Sequence, residues 1–206
     1  MVLCVTGPMA AGKNEASLIL ESKGFATLDA DATGHTAVEN AKEQIMKAFG
    51  SLAAQKGLNL LLDDGRINRR AVGQLIFGNK DLVAKQESIV YPEINRLFDE
   101  FLDANKDKDC VLNAAVLYKV PAIKKMDHIL FVDAPFLCRL YRAHKRDHMK
   151  LSSILSRFNS QKGLFSKYKK SSADIKRVWN IGTREQLERK IDALLAVWRW
   201  EGKSYG

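Results

Sequence analysis

The chain has 206 residues, 46% of them hydrophobic and 28% charged, and its 33 Lys+Arg against 24 Asp+Glu leave a formal net charge of +9. That length suits one domain of ordinary size that needs no disulfide staples, the apolar fraction excludes a disordered chain, and no apolar run approaches the ~18 residues of a membrane span. A basic chain meets an anionic partner, whether nucleic acid, membrane surface or phosphorylated small molecule.

The first residues, Met1 to Thr6, lack the basic stretch of a signal peptide. Cys4, Cys110 and Cys138 are odd in number and far apart, which points to free thiols and a cytoplasmic location. Val2 to Thr6 reads as a buried strand running into Gly7-Pro8. A helical pattern follows from about Gly12 to Lys23, with Ala16, Ile19 and Leu20 on one face and Gly24 as its stop. Phe25 to Leu28 is a second strand, ending at Asp29-Ala30-Asp31. Strand, glycine loop, helix and strand form a βαβ unit and imply a parallel sheet.

Thr33 to Gly50 is helical by pattern, Gly57 to Gly65 is a loop, and helices follow near Arg69–Phe77 and Leu82–Ala104, the second kinked at Pro92. Val111 to Ala114 and His128 to Asp133 are strands, 137–172 is two or three short helical pieces, and Lys176 to Asn180 is a fifth strand. Arg184 to Trp198 is a terminal helix with Leu187, Ile191, Leu194 and Leu195 on one face and Thr183 as N-cap. The pattern predicts a doubly wound α/β fold of about five parallel strands, with helical excursions near 63–105 and 139–172.

Gly7 to Asn14 matches G-x-x-x-x-G-K between a strand and a helix, the context this motif requires. Glycines let successive backbone N–H groups turn inward around a polyphosphate, the helix N-terminus adds positive potential, and Lys13 bridges the β- and γ-phosphates. Spacing disfavours a dinucleotide site. The Ser or Thr that ends such loops and holds Mg²⁺ is here Asn14, whose amide oxygen is also a ligand for a hard cation. Asp29 and Asp31 lie at the carboxyl end of the second strand, the edge that faces ligand in open parallel sheets. One of them is placed to accept a proton from an alcohol, and either to hold Mg²⁺ through water.

The net charge is local: residues 1–138 sum to −2, residues 139–177 to +10 and residues 178–206 to +1. Arg139, Arg142, Arg146 and Lys150 recur at helical spacing and are expected on one face, where Arg142 and Arg146 would meet phosphate or adenine. Lys162, Lys167, Lys169 and Lys170 read as a solvated surface.

The chain resembles the dephospho-CoA kinases, P-loop kinases that use ATP to phosphorylate the 3′-hydroxyl of dephospho-CoA. The likeness rests on the phosphate loop, Leu28-Asp29-Ala30-Asp31 with His35, Asp64-Gly65-Arg66-Ile67-Asn68-Arg69, and Tyr91-Pro92-Glu93-Ile94. It continues through Arg142 to Asp147, Arg157 to Gln161, Ala173-Asp174 and Asn180-Ile181-Gly182-Thr183, in order along nearly the whole chain. The resemblance implies a three-layer P-loop kinase fold with a core at about 1–62, 106–138 and 173–206, a helical acceptor-binding region at about 63–105 and a mobile lid at about 139–172. It implies ATP contacts from Gly7, Ala10, Ala11, Gly12, Lys13, Asn14 and Glu15, with Asn180 and Gly182 in an adenine-contacting loop. It implies that Asp31 orients or deprotonates the ribose hydroxyl and that Arg69 is an acceptor-side residue; with the reading of the residues themselves, Lys13, Asp31 and Arg142 are the expected catalytic residues, Asp31, His35, Arg69 and Tyr91 the acceptor-side ones, and Asn14 and Asp29 those toward Mg²⁺.

The chain departs from the family pattern at Asn14, at Lys119 where P-L-L-F-E has a carboxylate, at Tyr91 for the His of H-P, and at Arg139 for a Gln. ATP and dephospho-CoA are the expected partners, with no nucleic acid or membrane, and the protein is expected as a monomer or small homo-oligomer. Competing readings are another small P-loop nucleotide or nucleoside kinase, a nucleotide-binding protein with reduced turnover, and a nucleic-acid-binding module.

Overall fold

The computed structural model describes residues 1–147, 150–171 and 173–203; His148, Met149 and Ser172 of the expected lid lie outside the described residues. The chain divides into two compact units, residues 1–29 with 105–206, and residues 30–104.

The first unit holds a five-stranded sheet: β1 (Val2–Thr6), β2 (Ala26–Asp29), β3 (Cys110–Asn113), β4 (His128–Asp133) and β5 (Asp174–Trp179). All four pairings are parallel, in the order β2-β3-β1-β4-β5. β1 therefore lies at the centre, and the loop that leaves its carboxyl end sits where the strand order reverses, the ligand edge of a doubly wound sheet. The strands read as short apolar runs because both faces are covered. Leu3, Val5, Val111, Leu130, Val132 and Val178 pack against Ala16, Ile19 and Leu20 of α1 (Lys13–Ser22) and against the last helix. That helix, Arg184–Lys203, contributes Leu187, Ile191, Leu195 and Trp198. Thr183 precedes it as expected, with its N–H donating to Gln186 Oε1 at 3.2 Å and its carbonyl accepting from Leu187 N at 3.2 Å.

The basic segment forms three pieces, α6 (Phe136–Asp147), α7 (Leu151–Ser160) and α8 (Leu164–Tyr168). Ala143 of α6 and Ile154 and Phe158 of α7 are buried with Met9 of the phosphate loop. From α8, Phe165 and Tyr168 set their rings edge-on to Phe131 of β4. Tyr168 is fully buried, and its hydroxyl accepts from Leu117 N at 2.9 Å. The stretch after β3 carries two 3-10 turns, Leu117–Lys119 and Pro121–Lys125, which no periodicity announced.

The second unit is helical: α2 (Ala30–Asn40), α3 (Lys42–Gln55), α4 (Arg69–Ile76) and α5 (Lys80–Ala104). The single helix expected over 33–50 is two helices that start at Ala30 and meet at Ala41. This compact unit begins at Ala30, because Ala37, Ala41, Ile45, Phe49 and Ala53 share one apolar cluster with Leu60, Val72, Leu75 and Val90. Pro92 sits inside α5 without ending it, and α5 starts two residues early because the Asn79 side chain accepts from Asp81 N and Leu82 N.

Candidate active site

The phosphate loop is built for close backbone approach. Gly7 has φ +148°, and a Cβ there would lie 1.9 Å from the Val132 carbonyl oxygen of β4. Gly12 takes a left-handed φ of +105° as the N-cap of α1. Ala10 also has positive φ, +61°, a conformation that disfavours any residue with a Cβ. Ala11 N donates to Pro8 O at 3.1 Å, closing the turn. Lys13 and Asn14 are then the first two residues of α1, at the positive end of its dipole.

Asn180, just past β5, ties this loop down. It is 9% exposed, and its Nδ2 donates to Ala11 O at 2.9 Å. Its own N–H donates to Asp133 O at 2.7 Å, and its carbonyl accepts from Arg142 Nη2 at 3.2 Å. One buried residue thus joins the phosphate loop, the end of β4 and α6. Gln161, after α7, adds a second tie by accepting from Met9 N at 2.6 Å. Gly182 lies in the turn before the last helix, and Glu15 pairs with Arg184 at 3.2 Å.

A cavity of about 580 Å³ opens beside the loop, lined by Ala10, Gly12, Tyr141, Arg142, Lys145 and Arg146. Arg142 Nη1 is buried and makes no hydrogen bond among the described residues, a donor held ready for an anion. The expected single face of Arg139, Arg142, Arg146 and Lys150 is not formed. Helix α6 ends at Asp147, and Lys150 is the N-cap of α7. Arg139 donates from Nε to Ala134 O at 3.1 Å and stacks over Phe158. It lines a separate cavity of about 320 Å³ with Pro8, Asp133, Lys162 and Arg177. Burial pulls its guanidinium below the usual arginine range, opposed by the Asp133 charge.

At the sheet's carboxyl edge Val5, Asn113 and Asp29 stand in one row, as register partners of β1, β3 and β2. Asn113 Nδ2 donates to Asn14 Oδ1 at 3.0 Å. Asp29 ends β2 exposed, and Asp31 follows in the first turn of α2.

Within the helical unit, His35 and Arg69 line one polar cavity of about 350 Å³ with Thr36, Glu39 and Arg66. Its rim is rigid: Glu39 accepts from Ile67 N, Asn68 caps α4 through Ala71 N, and Asp64 holds Arg66. The Arg66 guanidinium in turn holds the Asp64 carboxyl below its ordinary range. The lining includes neither Asp31 nor Tyr91, which is half-buried on α5.

Sequence reasoning passed over Asn113, Tyr141 and the tie from Gln161. Asn113 was findable, since it ends a strand at the ligand edge. Gln161 carries no local signal, because its partner lies 152 residues away.

A family model described as dephospho-CoA kinase matches residues 1–180. The chain is 36% identical over 199 residues to a dephospho-CoA kinase of Treponema denticola, covering 93% of this chain and 87% of that one. It is 32% identical to a dephospho-CoA kinase of Treponema pallidum, covering 93% and 92%. Among solved structures, TT1252 from Thermus thermophilus superposes with a TM-score of 0.78 at 28% identity, over 95% of this chain and 96% of that one.

Proposed function

The chain belongs to the dephospho-CoA kinase family, and from that premise we propose that it transfers the γ-phosphoryl group of ATP to the 3′-hydroxyl of dephospho-CoA, giving CoA and ADP. The observation that carries the reading is the phosphate loop itself: G-x-x-x-x-G-K between the central strand and α1, braced by Asn180 and bordered by a cavity with an unpaired buried arginine nitrogen.

In this mechanism the loop N–H groups and the start of α1 cradle the β-phosphate, and Lys13 spans to the γ-phosphate. Gly7, Ala10, Ala11, Gly12 and Glu15 shape the cradle. Arg142 turns its free Nη1 to the equatorial oxygens as charge builds there, while Arg146 and Tyr141 border the nucleotide. Asn180 and Gly182 frame the end of that cavity. Asp31 orients the acceptor hydroxyl and takes its proton. His35 and Arg69 receive the acceptor in their polar cavity, with Tyr91 on the same unit. Catalysis here is positioning and electrostatics, with little covalent work for the protein.

Magnesium fits the residues present. Its donors here are oxygens, the Asn14 amide and the exposed Asp29 carboxylate, the hard ligands of a cation bound through one or two protein groups plus substrate phosphates. Asn14 Oδ1 and the Asp29 carboxylate are the oxygens that would hold it; when bound it neutralises charge on the β- and γ-phosphates. Among the described residues no helix is long and apolar enough to cross a membrane.

The test is a coupled ADP-release assay with dephospho-CoA against a panel of nucleoside monophosphates, with Lys13→Ala as control. Release with dephospho-CoA alone is the expected result. Release only with a nucleoside monophosphate, or none above the control, refutes the reading.

A further inference from the structure

P-loop phosphotransferases hold Mg²⁺ with a hydroxyl at the end of the phosphate loop and an aspartate from a neighbouring strand. In this chain both groups are amides. The loop ends in Asn14, and the residue hydrogen-bonded to it from the end of β3 is Asn113, Nδ2 to Oδ1 at 3.0 Å. Neither side chain carries charge.

An amide differs from a hydroxyl in one respect that matters to a cation. Its two ends are equal in size and opposite in character, so an Asn at a metal site must be told which end to present. The Asn113 N–H₂ does this: it donates to the Asn14 oxygen and so fixes the side on which that oxygen lies. A carbonyl oxygen has two lone pairs, and the bond from Asn113 uses one. Oδ1 of Asn14, an exposed residue, keeps the other. The negative charge that β3 lacks stands one strand farther out. Asp29 is the register partner of Asn113 on β2, and neighbouring strands lie about 4.8 Å apart. Mg²⁺ keeps several of its waters when bound, so the Asp29 carboxylate would act on it through them.

We propose that Asn113 is the positioning residue of the magnesium site, orienting the Asn14 amide toward a cation whose acidic group is Asp29 on β2. The inference rests on the magnesium reading above. Calorimetric titration of ATP into the full chain, with Mg²⁺ and with a chelator, gives the ratio of the two affinities. In Asn113→Ala and in the isosteric Asp29→Asn that ratio falls about tenfold or more, while chelated ATP binds each as it binds the native chain. A native ratio preserved in Asn113→Ala or in Asp29→Asn overturns the proposal. A native ratio of one removes the magnesium reading and this inference together, while ADP release with dephospho-CoA tests the kinase reading separately.

Discussion

Asn180→Ala tests whether the phosphate loop is held from the far end of the chain. The substitution removes Nδ2, which donates to Ala11 O at 2.9 Å, and leaves the two backbone bonds of residue 180, to Asp133 and from Arg142. Ala11 is fully buried, so its carbonyl loses a partner that water does not readily replace. An orphaned buried acceptor costs about 1–3 kcal/mol. For a chain of this size that lowers the melting temperature by about 2–12 °C. Where the same loss falls on the loop's binding conformation, ATP affinity drops by about 5- to 150-fold. Melting curves and calorimetric ATP titration read the two effects. Asn180→Asp loses more than Ala, because it aims a carboxylate at the Ala11 carbonyl. Gly12→Ala provides the cross-check. A Cβ at Gly12 would lie 2.1 Å from Asn180 Nδ2, and φ there is +105°. In the Asn180→Ala background the overlap is gone and only the backbone strain remains, so the penalty for Gly12→Ala shrinks without vanishing. An Asn180→Ala protein with native ATP affinity and native melting temperature would refute the reasoning.

Gly7→Ala drives a Cβ into the Val132 backbone at 1.9 Å; destabilisation of about 3 kcal/mol or more is expected, read as a lower melting temperature or loss of soluble protein. Tyr168→Phe strips the hydroxyl that accepts from Leu117 N at 2.9 Å and bonds Ala114 O at 3.4 Å. It costs about 1–3 kcal/mol, and Tyr118→Phe, at a half-buried ring, shifts the melting curve less. The Arg96 guanidinium, with the Asn40 amide second, holds the Glu93 carboxyl down at about 2 from its ordinary 4.5. A depressed carboxylate stabilises the fold above its unfolded value and loses that contribution as pH falls toward its folded one. The melting-temperature gap between native and Glu93→Gln protein is therefore widest near neutral pH and closes between pH 4.5 and 2; a gap that is constant across that window contradicts the assignment.

What was legible in the sequence is what physics writes locally. The strand before Gly7, the loop and α1 declare themselves within about twenty residues, through an apolar run, glycine spacing and helical period. The break at Ala41 was not legible, because helical period continues through it and only the packing of α2 and α3 in their shared cluster separates them. The first 3-10 turn after β3 was missed for a related reason: its Leu117 N–H is held by the Tyr168 hydroxyl from 51 residues away, not by any pattern of its own.

The site divides along the same line. Lys13, Asp29 and Asp31 follow from chain position relative to two strands. Asn180 was expected at the nucleotide through resemblance alone, and its bond to Ala11 spans 169 residues that no spacing rule connects. Asn14 was visible as a departure, but its partner Asn113 lies 99 residues on and gives the departure its meaning. The basic segment shows the limit most clearly. A charge count placed it, yet charge alone does not say which cations turn inward. Arg139 and Arg142 are drawn in, one stacked on Phe158 and one bonded to Asn180 O, whereas Lys162, Lys167, Lys169 and Lys170 stay exposed. A planar, weakly hydrated guanidinium stacks on a ring and donates from fixed positions after losing water, whereas the ammoniums of Lys167 and Lys169 reach over the Tyr118 and Phe165 rings, at 5.4 and 5.9 Å, while their side chains stay exposed. In this segment the choice between Arg and Lys, rather than the sum of charge, separates most of the groups that line the two cavities beside the loop from most of those that keep the surface wet, with Lys145 and Lys162 at the cavity rims and the exposed Arg157 as exceptions.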